Sequence, residues 1–143
     1  MRGYRGRGVR SHAADVAGRT KPSVYLVEPC PAERDRIVHA LAGHVETVIT
    51  FDRGQDFFAH ACTGGHVCVV VVDLELQDMP ALDFVTSAGR NLPVIVLGHA
   101  DDVSVAVNMI RAGATDFLDR PVDDRRLRAS VRAATAPRRR GGK

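Results

Sequence analysis

The sequence predicts a doubly wound α/β domain, five parallel strands alternating with five helices. Three observations carry this. Val69-Val70-Val71-Val72 is a run of β-branched residues, apolar on both faces, that ends at the carboxylate of Asp73; such a strand belongs inside a parallel sheet covered on both sides. Short apolar runs alternate along the chain with stretches of helical periodicity, and the connections are short enough to require right-handed crossovers. With 143 residues, 45% of them hydrophobic and 26% charged, the chain has material for one core and not two.

The elements follow in order. Residues 23–27 (SVYLV) form a first apolar strand, closed by Glu28-Pro29-Cys30-Pro31, where two prolines stop the strand and Pro31 suits the first turn of a helix. Over 32–41, Ile37, Ala40 and Leu41 share a helical face, with Glu33, Arg34, Asp35 and Arg36 turned elsewhere. Residues 45–50 supply a second strand. A second helix over 53–62 sets Phe57, Phe58 and Ala61 on one face and ends at Gly64-Gly65. The third strand is 66–73. Leu82, Val85 and Ala88 mark the third helix, and 91–97 the fourth strand, ended by Gly98. Asp101 or Asp102 caps a fourth helix whose Val103, Val107 and Ile110 are spaced i, i+4, i+7, with Ala112-Gly113 closing it. A short fifth strand, 115–119, runs into Arg120-Pro121. The last helix opens on Asp123-Asp124, buries Leu127, Val131 and Ala134, and runs out in Arg138-Arg139-Arg140, an acid-first, base-last order that complements the helix dipole.

Charge divides the chain into three. Residues 1–22 carry six basic residues against Asp15 alone and have no apolar periodicity, so they read as a disordered basic arm; 137–143 add four more as a basic tail. The domain between, 23–136, holds ten basic and 16 acidic residues, so the overall net charge of +3 conceals an acidic body. The arms read as solvated and non-specific, and neither nucleic acid nor membrane is an expected partner. Cys30, Cys62 and Cys68 are odd in number and lack CxxC spacing, and no apolar run has signal-peptide or membrane-spanning character. A reducing cytoplasm is the expected location. His60, Cys62, His66 and Cys68 could be taken for a zinc cluster, but they straddle Gly64-Gly65 with Cys68 inside a strand, and a structural site wants closer pairs.

Asp73 is the candidate functional residue, because in open α/β sheets the ligand crevice lies at the carboxyl ends of the strands. Its simplest competing role is to cap a turn. The run Pro93 to Pro121, PVIVLGHADDVSVAVNMIRAGATDFLDRP, resembles the fourth strand, fourth helix and fifth strand of response-regulator receiver domains, down to the A-G-A-x-D-F-L-x-[KR]-P ending. The resemblance extends over about 23–136 and implies a flavodoxin-like strand order, 2-1-3-4-5. It places Asp73 at the phosphoacceptor position and Phe117 at the aromatic switch position, and it implies a histidine kinase or another signalling protein as partner.

The same comparison exposes departures. A receiver takes a phosphoryl group on its aspartate with the help of Mg²⁺, a hard cation held by oxygens. The first-strand loop ordinarily supplies two acids; here Glu28 fills the first position and Pro29, without a side-chain oxygen, the second. Glu28 and Asp73 are therefore the expected metal carboxylates, with binding weak or lost. The hydroxyl residue after the fourth strand is replaced by Gly98, and the lysine before the last proline by Arg120, whose planar fork is suited to a salt bridge with Asp73. This pattern resembles an atypical receiver, a stand-alone signalling protein acting through contacts, with phosphorylation at Asp73 weakened or lost and no enzymatic role. The alternative is a phosphorylation-competent single-domain regulator using Asp73 and Glu28. Asp73-Leu74-Glu75 also loosely resembles the D-x-D of haloacid-dehalogenase-type phosphatases, and the basic arms leave a nucleic-acid binder as a remote reading. The expected contact face, for a partner or a second copy, is the fourth helix, fifth strand and fifth helix, with Asn108, Arg111, Asp116, Asp119, Arg125, Arg126 and Arg128 giving it mixed charge.

Overall fold

A strand of valines has no polar face to give to water, and in the computed structural model it lies at the centre of the molecule. The structure describes residues 21–60, 67–99, 101 and 103–136. In chain order these form β1 (Ser23–Val27), α1 (Pro31–Leu41), β2 (Thr47–Phe51), α2 (Gly54–Ala59), β3 (Cys68–Asp73), α3 (Ala81–Ala88), β4 (Val94–Gly98), α4 (Val103–Ala112), β5 (Asp116–Asp119) and α5 (Asp124–Ala134). All strand pairs are parallel and the order is β2-β1-β3-β4-β5.

The pleat sends alternate side chains to opposite faces. Val24, Leu26, Val69, Val71, Ile95 and Leu97 pack with Ile37 and Leu41 of α1 and Leu127 and Val131 of α5. Tyr25, Val27, Val70, Val72, Val94 and Val96 face the other way, toward Phe57, Phe84, Val85 and Met109. Each valine of β3 is fully buried. At about 1.5–3 kcal/mol per buried aliphatic side chain, these four are a principal anchor of the sheet.

Several boundaries differ from the sequence reading. β2 begins at Thr47, with Val45 buried ahead of it rather than within it, and β4 begins at Val94 and includes Gly98. β3 begins at Cys68. The helix α2 is shorter than expected, and Ala61, Cys62, Gly64, Gly65 and His66 lie outside the described residues, as does Asp102. Asp78, from the loop after β3, supplies the α2 cap: its carboxylate accepts from Gly54 N at 3.0 Å and Gln55 N at 2.8 Å. Burial alone would raise Asp78, but these N–H donors, with Arg53 nearby, hold its carboxyl below the usual range.

The largest correction concerns α4. Val103, Val107 and Ile110, expected to face the core, are exposed, and Met109 is the buried residue, flanked by the half-buried Val105, Ala106 and Ala112. Two apolar stripes run along this helix, so periodicity alone selects either. Leu82 is likewise exposed on α3, whose buried face is Ala81, Phe84, Val85 and Ala88. Phe58 is also exposed, although its ring packs against Phe57 and Phe84.

Candidate functional site

The strand registers bring one end of the sheet together. Val27 pairs with Val72, Asp73 with Leu97, and Gly98 with Asp119, so Glu28, Asp73, Gly98 and Arg120 converge where the strands finish. Backbone bonds fix the rim: Glu28 N donates to Phe51 O at 3.0 Å, Leu74 N to Leu97 O at 2.8 Å, and Arg120 N to Gly98 O at 3.0 Å. The Arg120–Pro121 peptide bond is cis.

A guanidinium occupies the middle of this end. Arg120 Nη2 donates to Glu28 Oε1 at 2.8 Å and lies 3.3 Å from Asp73 Oδ1; Nη1 donates to Glu33 Oε1 at 2.8 Å. The Arg120–Asp73 pair expected from the sequence is present, but it is the longest of the three contacts. Glu28 is the deeper partner, with a side chain 2% exposed. Glu28 Oε2 accepts from Cys30 N at 3.2 Å, and Asp73 Oδ1 accepts from Glu75 N at 3.2 Å.

Glu33 is absent from the sequence-based set. It sits in the first turn of α1, five residues beyond Glu28, where the helix begins beside the end of β1. Arg36 also donates to Glu33, and reaches Asp124 of α5 at 3.2 Å. A chain of charges thus runs from Asp73 through Arg120, Glu33 and Arg36 to the start of α5. The available signal for Glu33 was an acid in the first turn of a helix that starts at the site.

Burial pushes the Glu28 carboxyl up, the negative charge of Asp73 adds to this, and Arg120 only partly offsets them, leaving it at about 7. Burial would raise Glu33 too, but the bonds and charge of Arg36, with Arg120 behind, hold it below the usual range. Burial works against the charge of Arg120, yet Glu28 and Asp73 together raise its guanidinium above the ordinary value. The site is a half-buried arginine with three carboxylates around it.

The donors fit a divalent cation poorly. Mg²⁺ wants an octahedron of oxygens, but Pro29 has no side-chain oxygen, Glu28 already accepts from the guanidinium, and Asp73 is ion-paired with it. At Gly98, a β-carbon would stand 2.5 Å from Leu74 Cβ and 2.8 Å from Leu74 Cδ2. Leu74 thus fills the space that a side chain at 98 would need. Phe117 is half-buried and packs against the core layer that contains Phe84, Val96 and Met109. His60 stacks its ring edge-on against Tyr25 and Phe51, and Cys68 is half-buried in β3; of the four residues weighed and set aside as a zinc cluster, Cys62 and His66 are outside the described residues.

A parallel sheet in the order 2-1-3-4-5, carrying an aspartate at the end of its third strand and a basic-proline pair after its fifth, defines a flavodoxin-like domain of the receiver type. Residues 24–132 match the family model of the response regulator receiver domain, and the chain belongs to that family. It is 31% identical over 121 residues to the transcriptional regulatory protein FixJ of Bradyrhizobium diazoefficiens, covering 80% of this chain and 57% of that protein. It is 29% identical over 117 residues to the transcriptional regulatory protein TdiR of Thauera aromatica, covering 80% and 51%. The chain therefore spans a little over half the length of these relatives. Among solved structures, FixJ-N superposes with a TM-score of 0.71 at 28% identity, covering 81% of this chain and 94% of that one. A response regulator receiver protein from Pseudoalteromonas atlantica shares the fold, with a TM-score of 0.71 at 22% identity, covering 79% and 96%.

Proposed function

We propose that this receiver domain works in two-component signalling chiefly through protein contacts, with phosphorylation at Asp73 weakened or lost. The observation that carries this reading is the guanidinium of Arg120 lying among Glu28, Glu33 and Asp73, so that an internal cation neutralises the carboxylates a divalent cation would otherwise need. A bound ligand shifts a conformational equilibrium only by its differential affinity for the two states. With glycine at 98, one contact that would distinguish them is absent. No catalytic role is proposed for the domain itself.

The contact surface proposed is the outer side of α4. Val103, Val107 and Ile110 form an exposed apolar stripe, with Asn108 and Arg111 also exposed on the helix. Exposed apolar surface of this kind marks interaction sites. The mixed-charge face expected from the sequence is reduced: Asp116 accepts from Ser130 Oγ at 2.8 Å and Phe117 N at 2.8 Å, and Arg128 turns to Ala40 O of α1. A histidine kinase, another signalling protein or a second copy of the chain would seat on the apolar stripe.

Isothermal titration with Mg²⁺ at pH 7.5 tests the site. The expected result is no saturable binding at millimolar concentration in the natural protein. Tight, stoichiometric binding would favour the phosphorylation-competent regulator that uses Asp73 and Glu28.

A further inference from the structure

All ten basic residues of the folded body are arginines, and the structure sorts them by what they face. Arg34, Arg36, Arg53 and Arg120 pair with carboxylates, and Arg128 donates to a carbonyl of α1 at 3.1 Å. Arg90, Arg111, Arg125, Arg126 and Arg132 remain, all exposed, and three of these five, Arg125, Arg126 and Arg132, are carried by one helix. They are exposed on α5, and none forms an ion pair with another described residue. The contacts of Asp124 and Arg128 with α1 turn that side of the helix inward. Arg125 and Arg132, seven residues apart, therefore stand on the outward face, with Ala129 and Ala133 exposed beside them and Arg126 flanking.

We propose that the outer face of α5 is a binding surface for the phosphate backbone of a nucleic-acid duplex. On sequence alone the basic arms read as solvated, whereas the arginines of α5 stand on an ordered helix. From Arg125 to the last residue the chain carries eight basic residues and no acid, because Arg138, Arg139, Arg140 and Lys143 follow the helix directly. The helices of a parallel α/β sheet return antiparallel to the strands. The end of α5 and the start of β1 therefore lie at the same end of the domain, away from Asp73.

The choice of nucleic acid over an acidic protein rests on what the face lacks. Protein interfaces are centred on desolvated apolar or aromatic anchors, and α4 offers such a stripe in Val103, Val107 and Ile110. The outward face of α5 offers only arginine and alanine. Arginine forks suit phosphate oxygens, small alanines permit close approach, and binding of this kind needs no apolar centre because released counterions drive it.

The test is fluorescence anisotropy of the full chain with labelled duplex DNA and duplex RNA at 50 and 200 mM salt, beside Arg125→Gln/Arg126→Gln/Arg132→Gln. These side chains are exposed, and a melting curve checks that the variant folds. The natural protein should bind a duplex with steep salt dependence. Each phosphate contact contributes a slope of about 0.9 on B-DNA, so losing three should shrink the affinity ratio between the two salts roughly 40-fold. A folded variant that binds with unchanged affinity and slope overturns the assignment of α5. So does failure of the natural protein to bind either duplex, including the case in which it binds polyglutamate instead, which would mark an acidic protein as the partner.

Discussion

Replacing Arg120 by methionine removes the cation and leaves Glu28, Asp73 and Glu33 facing one another. Glu33 is 34% exposed at its side chain, so its pair with Arg120 counts as a surface bridge worth about 0–1 kcal/mol. Glu28 at 2% and Asp73 at 13% are shielded from water, and breaking a buried pair by removing one partner costs about 3–5 kcal/mol. The expected loss at pH 8 is therefore about 3–5 kcal/mol, read from urea unfolding. The loss depends on pH. Glu28 already stands at about 7 in the natural protein, and without Arg120 it rises further, so at pH 5.5 Glu28 is protonated and the variant escapes much of the penalty. Added Mg²⁺ should recover part of the loss in the variant and add little to the natural protein, since only the variant has uncommitted carboxylates. A loss below about 1 kcal/mol at both pH values, or an equal loss at both, would refute the placing of Arg120 as the internal cation.

Other outcomes follow from the same geometry. Because the Glu28 carboxyl is raised above its ordinary 4.5 to about 7, the stability it contributes is fully present below about 4.5 and is lost as pH rises through about 7. Glu28→Gln should remove that dependence, matching the natural protein at pH 4 and exceeding it at pH 8 by up to about 3 kcal/mol, the value of the shift at 1.36 kcal/mol per pKa unit. Urea titrations at both pH values check this. Gly98→Thr alone should destabilise by about 1–3 kcal/mol through overpacking against Leu74, and Gly98→Thr with Leu74→Ala should lose less, as a thermal melt will show. Ile110→Asp should weaken self-association or partner capture, measured by sedimentation and pull-down, while changing the melting temperature little because the side chain is exposed.

The fold was legible because local and global signals agree. The valines of β3 can be satisfied only between two helical layers, and Ile37, Leu41, Leu127 and Val131 are spaced to cover one of them. On α4 the pattern misled, because Val103, Val107 and Ile110 form as good a stripe as the inward Val105, Met109 and Ala112; only the seat of the helix on the sheet decides between them. At the site, Glu28, Asp73 and Arg120 could be read from their positions at strand ends. Glu33 could not, since its part depends on the angle at which α1 leaves β1. The cap that Asp78 gives α2 spans 24 residues of sequence and has no local signature. The space taken by Leu74 over Gly98 is a packing fact of the same kind.

The most direct measurement is intact-mass spectrometry of the protein after incubation with acetyl phosphate and Mg²⁺, alongside Asp73→Asn and a variant carrying Pro29→Asp, Gly98→Thr, Leu74→Ala and Arg120→Lys together. The expected result is a natural protein that gains little or no phosphoryl mass, an unchanged Asp73→Asn, and a fourfold variant that acquires one phosphoryl group only when Mg²⁺ is present. High-occupancy labelling of the natural protein, abolished by Asp73→Asn, would contradict a site in which Arg120 stands in for the metal, and would make this a phosphorylation-competent regulator.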